Sequence, residues 1–519
     1  MIPYKIKRAV TAGLVLLLTA GCAAMPQNGE TQEEVNIITS MEDEPQLTYE
    51  VPVSLPNILI NQLGYITDST KTAIFCGEEM PRVFHVIRAD TGEIVYTGYL
   101  EDKAYYDEIR EYISYGDLSA VTEPGTYYIE APILGRSYSF MVGDDLYDQI
   151  FREACRQYYY NRCGMTLTTE YAGEKAHNAC HTGKAVLREN ISISLDVSGG
   201  WHQDEMGSKD VVMAAKNIGV MLLSYELYEE SFGDNMGIPE SGNGIPDILD
   251  EIKYEIEWLL KMQDQATGAV YAGVTVYNQN GAKGTVSYVE PVKMESAKAF
   301  AMVLAKFSYL YQDYDTEYAT NCLKAADRAW KYMELNAGEQ TDPWKFAAAA
   351  ELYRASGQQS CHRFITEYLL KADWDEELDE VTFLGYVTYI STKQQVNLEL
   401  CENITKVLTQ KAEEISENAR GSEYLVEQGE GQEHNLILLQ NMMYLTMVDY
   451  MISNHEYETV IENHLHYFMG RNSQAVSYID NVGENNYRQT DESLGIMKNF
   501  DADSKLIFML SEIVGNHRN

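Results

Sequence analysis

Cys163, Cys180, His181 and His202 are the residues here whose types most readily do chemistry. Two thiolates and two imidazoles make a complete tetrahedral zinc set of the closed, structural kind. The spacing is not that of a short finger. On the residues alone, two readings therefore stand: a zinc site, or two buried cysteines and two loop histidines bonded to backbone. The stretch "DVSGGWHQDEMGSKDVV", residues 196–212, contains the last of the four. A Gly-Gly-Trp-His run before a long helical pattern suits the rim of a cleft. Hydrolysis there would need two carboxylates with room for a water. The next four residues are Gln203, Asp204, Glu205 and Met206. A glutamine can orient a water but cannot take its proton, and a methionine can do neither. Asp204 and Glu205 lie close by, but a one-residue shift on a strand or turn reverses side-chain direction. They are either displaced catalytic acids or solvated loop acids.

The elements that position these residues follow from the rest of the chain. Its 519 residues exceed one ordinary domain and suffice for two or three with large cores. The formal charge of −40 argues against nucleic acid, because binding phosphates needs a basic patch. Lys5, Lys7 and Arg8 precede "AGLVLLLTAG", an apolar run too short to span a bilayer comfortably. "TAGCAA" then sets Cys22 after small residues, in the manner of a bacterial lipobox. Residues 1–22 are expected to be a lipoprotein signal and residues 23–50, acidic and without Lys or Arg, a disordered tether. The expected location is the extracellular face of a bacterial membrane, lipid-anchored through Cys22, or secreted if the lipobox is not used. Of the eight cysteines, removing Cys22 leaves an odd number, which excludes a full disulfide framework. Cys76, Cys155, Cys322, Cys361 and Cys401 read as small core residues.

Residues 51–145 carry short β-branched and aromatic runs such as "KTAIFCG", "RVFHVIRAD" and "GTYYIEAP", with "ADTGE" and "TEPGT" as turns. Their size and spacing suggest a β-sandwich. Over residues 146–519 the period becomes helical. In "PDILDEIKYEIEWLLKMQ", Leu249, Ile252, Ile256, Leu259 and Leu260 share a face, and Pro246 suits the first turn. About a dozen such segments with short connections and little strand signal predict a toroid of paired helices or a large bundle.

Several motifs occur in a fixed order: "INQLGY", "YYNRCGMTLTTEYAGEKAHNACHTG", "DVSGGWH", "IPESGNGIPDILDEIKYEIEWLLKMQD", "WKFAAAAELYRASG" and "YFMGRNSQAVSYIDNVG". Together they resemble glycoside hydrolase family 9, in the branch with an N-terminal immunoglobulin-like domain. The resemblance covers nearly everything from Pro56 to Leu510. It implies a multidomain chain, an immunoglobulin-like β-sandwich followed by an all-α (α/α)6 barrel. It also implies inverting hydrolysis of β-1,4-glucans. Members of this branch carry a structural zinc on two cysteines and two histidines, which match Cys163, Cys180, His181 and His202. Calcium, common in the family, is a second candidate cofactor, with Glu240, Asp247, Asp250 and Glu251 as ligands or, alternatively, as a capped helix start. Tyr271, Tyr277 and Tyr288 fall in the loop region that forms part of the family's cleft.

The family's catalytic stretch does not carry over. Members read Trp-His-Asp-Ala-Gly-Asp-Tyr-Gly-Lys-Tyr, and its two aspartates hold and deprotonate the attacking water. Here Gln203 and Met206 fall on those aspartates, while Lys209, Val211 and Val212 stay in register. The His/Arg-rich loop that contacts the sugar is replaced by "ENNYRQTDESLG", with Arg488 its only basic residue. Ungapped, the position of the acidic glutamate falls near Met497; Glu492 would serve only through a longer loop. The expectation is a surface protein that handles β-1,4-glucan-type polysaccharide and binds it without efficient hydrolysis. The alternative is an active inverting glycosidase, with Asp204 or Glu205 as base and Glu492 as acid.

Overall fold

The computed structural model describes residues 55–519 except 108, 279–284, 337–341, 430, 453, 491–494, 498–499 and 519, with backbone only at 432, 490, 517 and 518. The expected signal, tether and Cys22 therefore lie outside the described residues, as does Glu492.

The first part is a β-sandwich. One sheet has the order β1 (Ile58–Leu59), β3 (Thr72–Cys76), β7 (Glu111–Asp117), β6 (Ala104–Tyr106). The other runs β2 (Gly64–Tyr65), β10 (Phe140–Val142), β8 (Gly125–Ala131), β4 (Val83–Arg88), β5 (Ile94–Tyr99), with β9 (Gly135–Arg136) on β8. Alternating inward residues such as Phe75, Phe84, Val86, Tyr127, Ile129 and Phe140 close the core between the sheets.

Among the described residues, twelve longer helices come after it. They are α1 (Asp148–Tyr160), α2 (Val211–Leu227), α3 (Asp247–Lys261), α4 (Met294–Tyr311), α5 (Thr316–Asn336), α6 (Pro343–Ser356), α7 (Gln359–Leu369), α8 (Glu380–Ser391), α9 (Leu398–Arg420), α10 (Gln432–Met451), α11 (Glu458–Phe468) and α12 (Phe500–Arg518). The even-numbered helices make an inner ring, α12 packing back on α2. Phe383 of α8 meets Tyr444 of α10 edge-on at 5.0 Å. The inner helices α2, α4, α6 and α8 are buried nearly all round, the signature of a ring core. An outer helix such as α9 buries a single stripe through Leu400, Ile404, Leu408, Ala412 and Ile415. This is the (α/α)6 barrel.

Each inner helix is preceded by an outer one running the other way, so the inner N-termini gather at one end. Asp210, Asp342 and Asp379 cap α2, α6 and α8 there, each accepting from backbone N–H groups of the first turn. At this mouth four charges join helices from opposite sides of the ring. Lys216 Nζ lies 2.9 Å from both Glu380 and Asp501, and Lys505 lies 3.1 Å from Glu380 and 2.5 Å from Asp501.

The barrel region also holds a sheet that helical periodicity does not foretell. It runs β12 (Asn190–Leu195), β11 (Ala185–Leu187), β15 (Thr285–Val289), β14 (Gly273–Asn278), β13 (Lys209–Asp210). Strand content here corrects the expectation of little strand signal: "NISISL" and "GVTVYN" do alternate with period two. The "INQLGY" motif joins the two parts. Asn61 Nδ2 is bonded to Tyr147 and lies 3.0 Å from His466 Nδ1, and Gln62 Nε2 donates to Ala475 O at 2.8 Å.

Candidate functional site

Cys163 follows α1, and a short antiparallel bridge pairs Arg162 with Trp201. Cys163 N donates to Gly200 O at 2.7 Å, and His202 N to Asn161 O at 2.8 Å, which sets the two ligand-bearing segments side by side. Cys180 and His181 come in from the loop before β11. The ligand atoms of Cys163, Cys180, His181 and His202 all lie within 4.8 Å of one another. Cys163 Sγ is 3.7 Å from His181 Nδ1, and Cys180 Sγ is 3.3 Å from His202 Nε2. Such separations suit four ligands about 2.0–2.3 Å from one tetrahedral zinc. The hydrogen bond from Cys163, helped by His202, holds the Cys180 thiol well below its ordinary range, and Cys163 is raised by giving that bond and by burial. His181 adopts φ +47°, a strained conformation for a non-glycine residue that the surrounding structure must enforce.

A buried scaffold backs this cluster. Arg162, fully buried, forks onto Glu251 at 2.9–3.1 Å and reaches Glu240 at 2.9 Å. Glu251 also accepts Trp201 Nε1 at 2.8 Å, and Glu255 accepts Trp201 N at 2.6 Å. Burial pushes Glu255 up to about 8 against the pull of Lys209. Lys209 Nζ donates to Gly199 O at 2.7 Å and lies 3.6 Å from Cys163 Sγ. Gly200 has φ +75°, and a Cβ there would come 2.7 Å from the Trp258 ring, so the position takes only glycine. Glu240 and Glu251 are thus turned to Arg162 rather than to a shared cation. Of the other two residues expected as calcium ligands, Asp250 accepts from Asn243 and Asp247 from Ser241 and Met236. Among the described residues, the two Cys and two His are the one cluster of His, Cys, Asp and Glu placed to share a metal.

The rim begins at the next residue. Gln203 pairs across a tight hairpin with Asp210: its Nε2 donates to Asp210 O at 3.0 Å, and its Oε1 accepts Asp210 N at 2.7 Å. Asp204 Oδ1 accepts Met206 N at 2.9 Å and Ser208 N at 2.8 Å. Partial burial pushes the Asp204 carboxyl up, but these backbone donors outweigh it and hold the group below the usual carboxylate range. Glu205 is exposed. Met206 Sδ faces Asn278 at 3.7 Å. Gly207 has φ +87°, and a Cβ on it would strike the His181 ring at 2.5 Å, so the hairpin lies directly on the metal cluster.

Beside the hairpin opens a pocket of 410 Å³ lined among others by Gln203, Asp204, Asp210, Met213, Glu290 and Lys293. Its carboxylates are engaged: Asp204 in its turn, Asp210 as the cap of α2, Glu290 in a fork with Arg188. Met497 is buried in the barrel core, and Arg488 is paired with Asp480. Tyr277 and Tyr288 stand on β14 and β15 rather than in a loop, and Tyr271 bridges to Val292. The arrangement can hydrogen-bond a polar ligand. Of its three carboxylates, Asp204 and Asp210 each accept backbone N–H groups through Oδ1, and Glu290 is held by Arg188 through both oxygens.

A family model described as glycosyl hydrolase family 9 matches residues 147–499, and one for a cellulase N-terminal ig-like domain matches residues 54–136. The chain belongs to glycosyl hydrolase family 9. Endoglucanase D of Acetivibrio thermocellus is 27% identical over 461 residues, covering 82% of this chain and 73% of that protein. A xyloglucan-specific endo-beta-1,4-glucanase of Bacteroides ovatus is 30% identical over 350 residues, 59% of each chain. A metagenome-derived family 9 endoglucanase shares the fold with a TM-score of 0.79 at 22% identity, over 88% of this chain and 99% of its own. A Zn-binding triple mutant of the family 9 endoglucanase J30 does so with a TM-score of 0.74 at 22% identity, over 86% and 99%.

Reading the sequence alone misses Arg162, Lys209, Glu251 and Glu255 as partners of the cluster, and the four charges of the mouth. The available signal was a basic residue inside an otherwise apolar helical register, as at Lys216 in "VVMAAKNIGVMLL".

Proposed function

We propose that this family 9 protein holds β-1,4-glucan-type polysaccharide at the barrel mouth and does not hydrolyse it efficiently. One observation carries the reading. Where the family sets its two water-activating aspartates, this chain has Gln203 and Met206, and the Gln203 amide is bonded on both sides to Asp210. Inversion needs a base on the water and an acid on the leaving oxygen, with carboxyls about 6.5–9.5 Å apart. Asp204 is a poor substitute base, because the backbone donors that stabilise its ionised form also weaken its affinity for a proton. Binding does not need those carboxylates. The relatives' names, an endoglucanase and a xyloglucan-specific endo-beta-1,4-glucanase, support a β-1,4-glucan as ligand.

The zinc is structural in this reading. Cys163, Cys180, His181 and His202 would hold it, and it would supply a cross-link between the end of α1, the loop before β11 and the rim. All four positions are taken by protein ligands, so no position is left for water. The same proposal puts the protein on the outer face of a bacterial membrane, attached through a lipidated Cys22. Mass spectrometry of the mature N-terminus should find diacylglyceryl on Cys22, and a chain starting elsewhere refutes the anchor.

Each proton transfer typically contributes about 10²–10⁴-fold to such a rate. A reducing-sugar assay on cellulosic oligosaccharides should therefore read background, while binding of the same oligosaccharides persists. Asp at both Gln203 and Met206 should not restore turnover by itself. Robust wild-type turnover that collapses in Asp204→Asn or Glu492→Gln would overturn the reading and establish an active enzyme with rearranged carboxylates.

A further inference from the structure

Lys209 closes the rim hairpin and leads into α2, yet its side chain turns back toward the metal cluster. It is 4% exposed. Its Nζ donates to Gly199 O at 2.7 Å, Val197 O at 3.4 Å and Cys163 Sγ at 3.6 Å, and lies 5.4 Å from the centre of the Trp258 ring. Glu255 attracts it without bonding it: Oε2 of that carboxylate accepts Trp201 N at 2.6 Å, and Oε1 has no hydrogen-bond partner. A buried ammonium that meets only carbonyls and a sulfur is costly to keep. The sulfur changes that balance. A cysteine ligates a metal as its thiolate, so a loaded cluster sets a negative charge on Cys163 beside Lys209.

The same lysine holds the rim. Its backbone pairs with Val274 at the start of β13, which sets the second arm of the hairpin on the sheet. The first arm begins after His202, itself one of the four, and Gly207 in the turn lies against the His181 ring. The hairpin thus meets the cluster at three ligands: His202 through the chain, His181 through Gly207 and Cys163 through the Lys209 side chain. Gln203, Ser208 and Lys209 all line the 410 Å³ pocket, so what holds the hairpin also shapes the pocket.

We propose that Lys209 is a positioning residue that couples zinc occupancy to the order of the rim. Its ammonium pairs with the Cys163 thiolate of the loaded cluster, steadies that ligand and fixes the second arm of the hairpin. The proposal rests on the structural-zinc reading above and adds the residue that carries the metal's state to the pocket. Lys209→Gln keeps a donor for Gly199 O and removes the charge. In competition with a chromophoric chelator, the full chain with this change should bind zinc about 10–100-fold more weakly than wild type, the usual loss for a partner of a ligand. Melting with zinc and after chelation gives the discriminating readout. The variant should lose more stability when loaded than when zinc-free, and the difference should match the loss of affinity. A lysine that only packs costs the same in both forms. Backbone amides of residues 203–210 should also exchange faster in the loaded variant than in loaded wild type. Should Lys209→Gln not fold, wild type alone carries the test: chelation should speed exchange at 203–210 well above any change in the β-sandwich. Zinc affinity unchanged by Lys209→Gln, equal losses in both forms, or wild-type exchange at 203–210 that chelation leaves alone overturns the coupling. A wild type that binds no zinc overturns the zinc reading and the coupling with it.

Discussion

His202 and Gln203 are neighbours in sequence and stand on the two sides of a boundary. Up to His202 the loop is a closed structural knot: ligand atoms within 4.8 Å of one another, a buried arginine forked by two glutamates, a tryptophan held at both its nitrogens. From Gln203 to Asp210 the same loop is a self-satisfied hairpin whose polar side chains bond to its own backbone. In the first region, polar groups point inward at partners far along the chain. In the second they point at residues two to seven positions away. The contrast separates what a fold needs from what a reaction needs. Losing one partner of a buried charged set costs about 3–5 kcal/mol, so such a set resists change. At Gln203 the rim hairpin carries no such buried set: the Gln203 side chain is bonded only to the backbone of Asp210, on the other arm of the hairpin.

The comparison is broken most directly at the metal cluster. Chelation, or Cys180→Ser, should release about one zinc per chain in elemental analysis and cost about 5 kcal/mol or more, because structural zinc binding is folding free energy. Purified protein that carries no zinc, with chelator leaving its melting curve unmoved, would erase the distinction between the two regions. Asp204→Ala should act far more weakly, by less than about 1 kcal/mol, since the carboxylate is exposed and solvent replaces most of what it loses. Its pH dependence sharpens the point. Asp204 has a folded pKa below its unfolded one, so its contribution is present above the ordinary carboxylate range. It fades as pH falls through the lowered value. A pH series of melting temperatures for wild type and Asp204→Ala should therefore converge in acid and separate slightly near neutrality.

Much of this is legible in the sequence. The helical period announces a toroid of paired helices or a large bundle, and the ordered motifs, through their resemblance to family 9, single out the barrel and the Cys-Cys-His-His set. Those signals survive because each is local or is a choice of residue type. Glu240 and Glu251 look like free acids in sequence, and their ion pair with Arg162 is not legible there. Their partner Arg162 lies 89 positions from Glu251. The rim sheet is only partly legible: β12 and β14 alternate with period two, but β11 and β13 are three and two residues long, too short for periodicity to register, and β13 joins β14 only across the α2–α3 segment. The Arg188 fork is no more legible, since its partner Glu290 is 102 positions away.

The charge network at the mouth has a temporal side. Lys216 must meet Asp501 and Glu380, and Lys505 sits in the last helix. The ring therefore stays an open arc until α12 has been made. Until then α2 and α10 lack the neighbour that covers their apolar flanks. Asn61 likewise waits for His466, 405 residues later. Loop closures of this length are slow to form and leave apolar surface open to aggregation in the interval. A chain made from its N-terminus thus holds an unfinished barrel until α12 emerges, and the mouth is the last part of the barrel to exist.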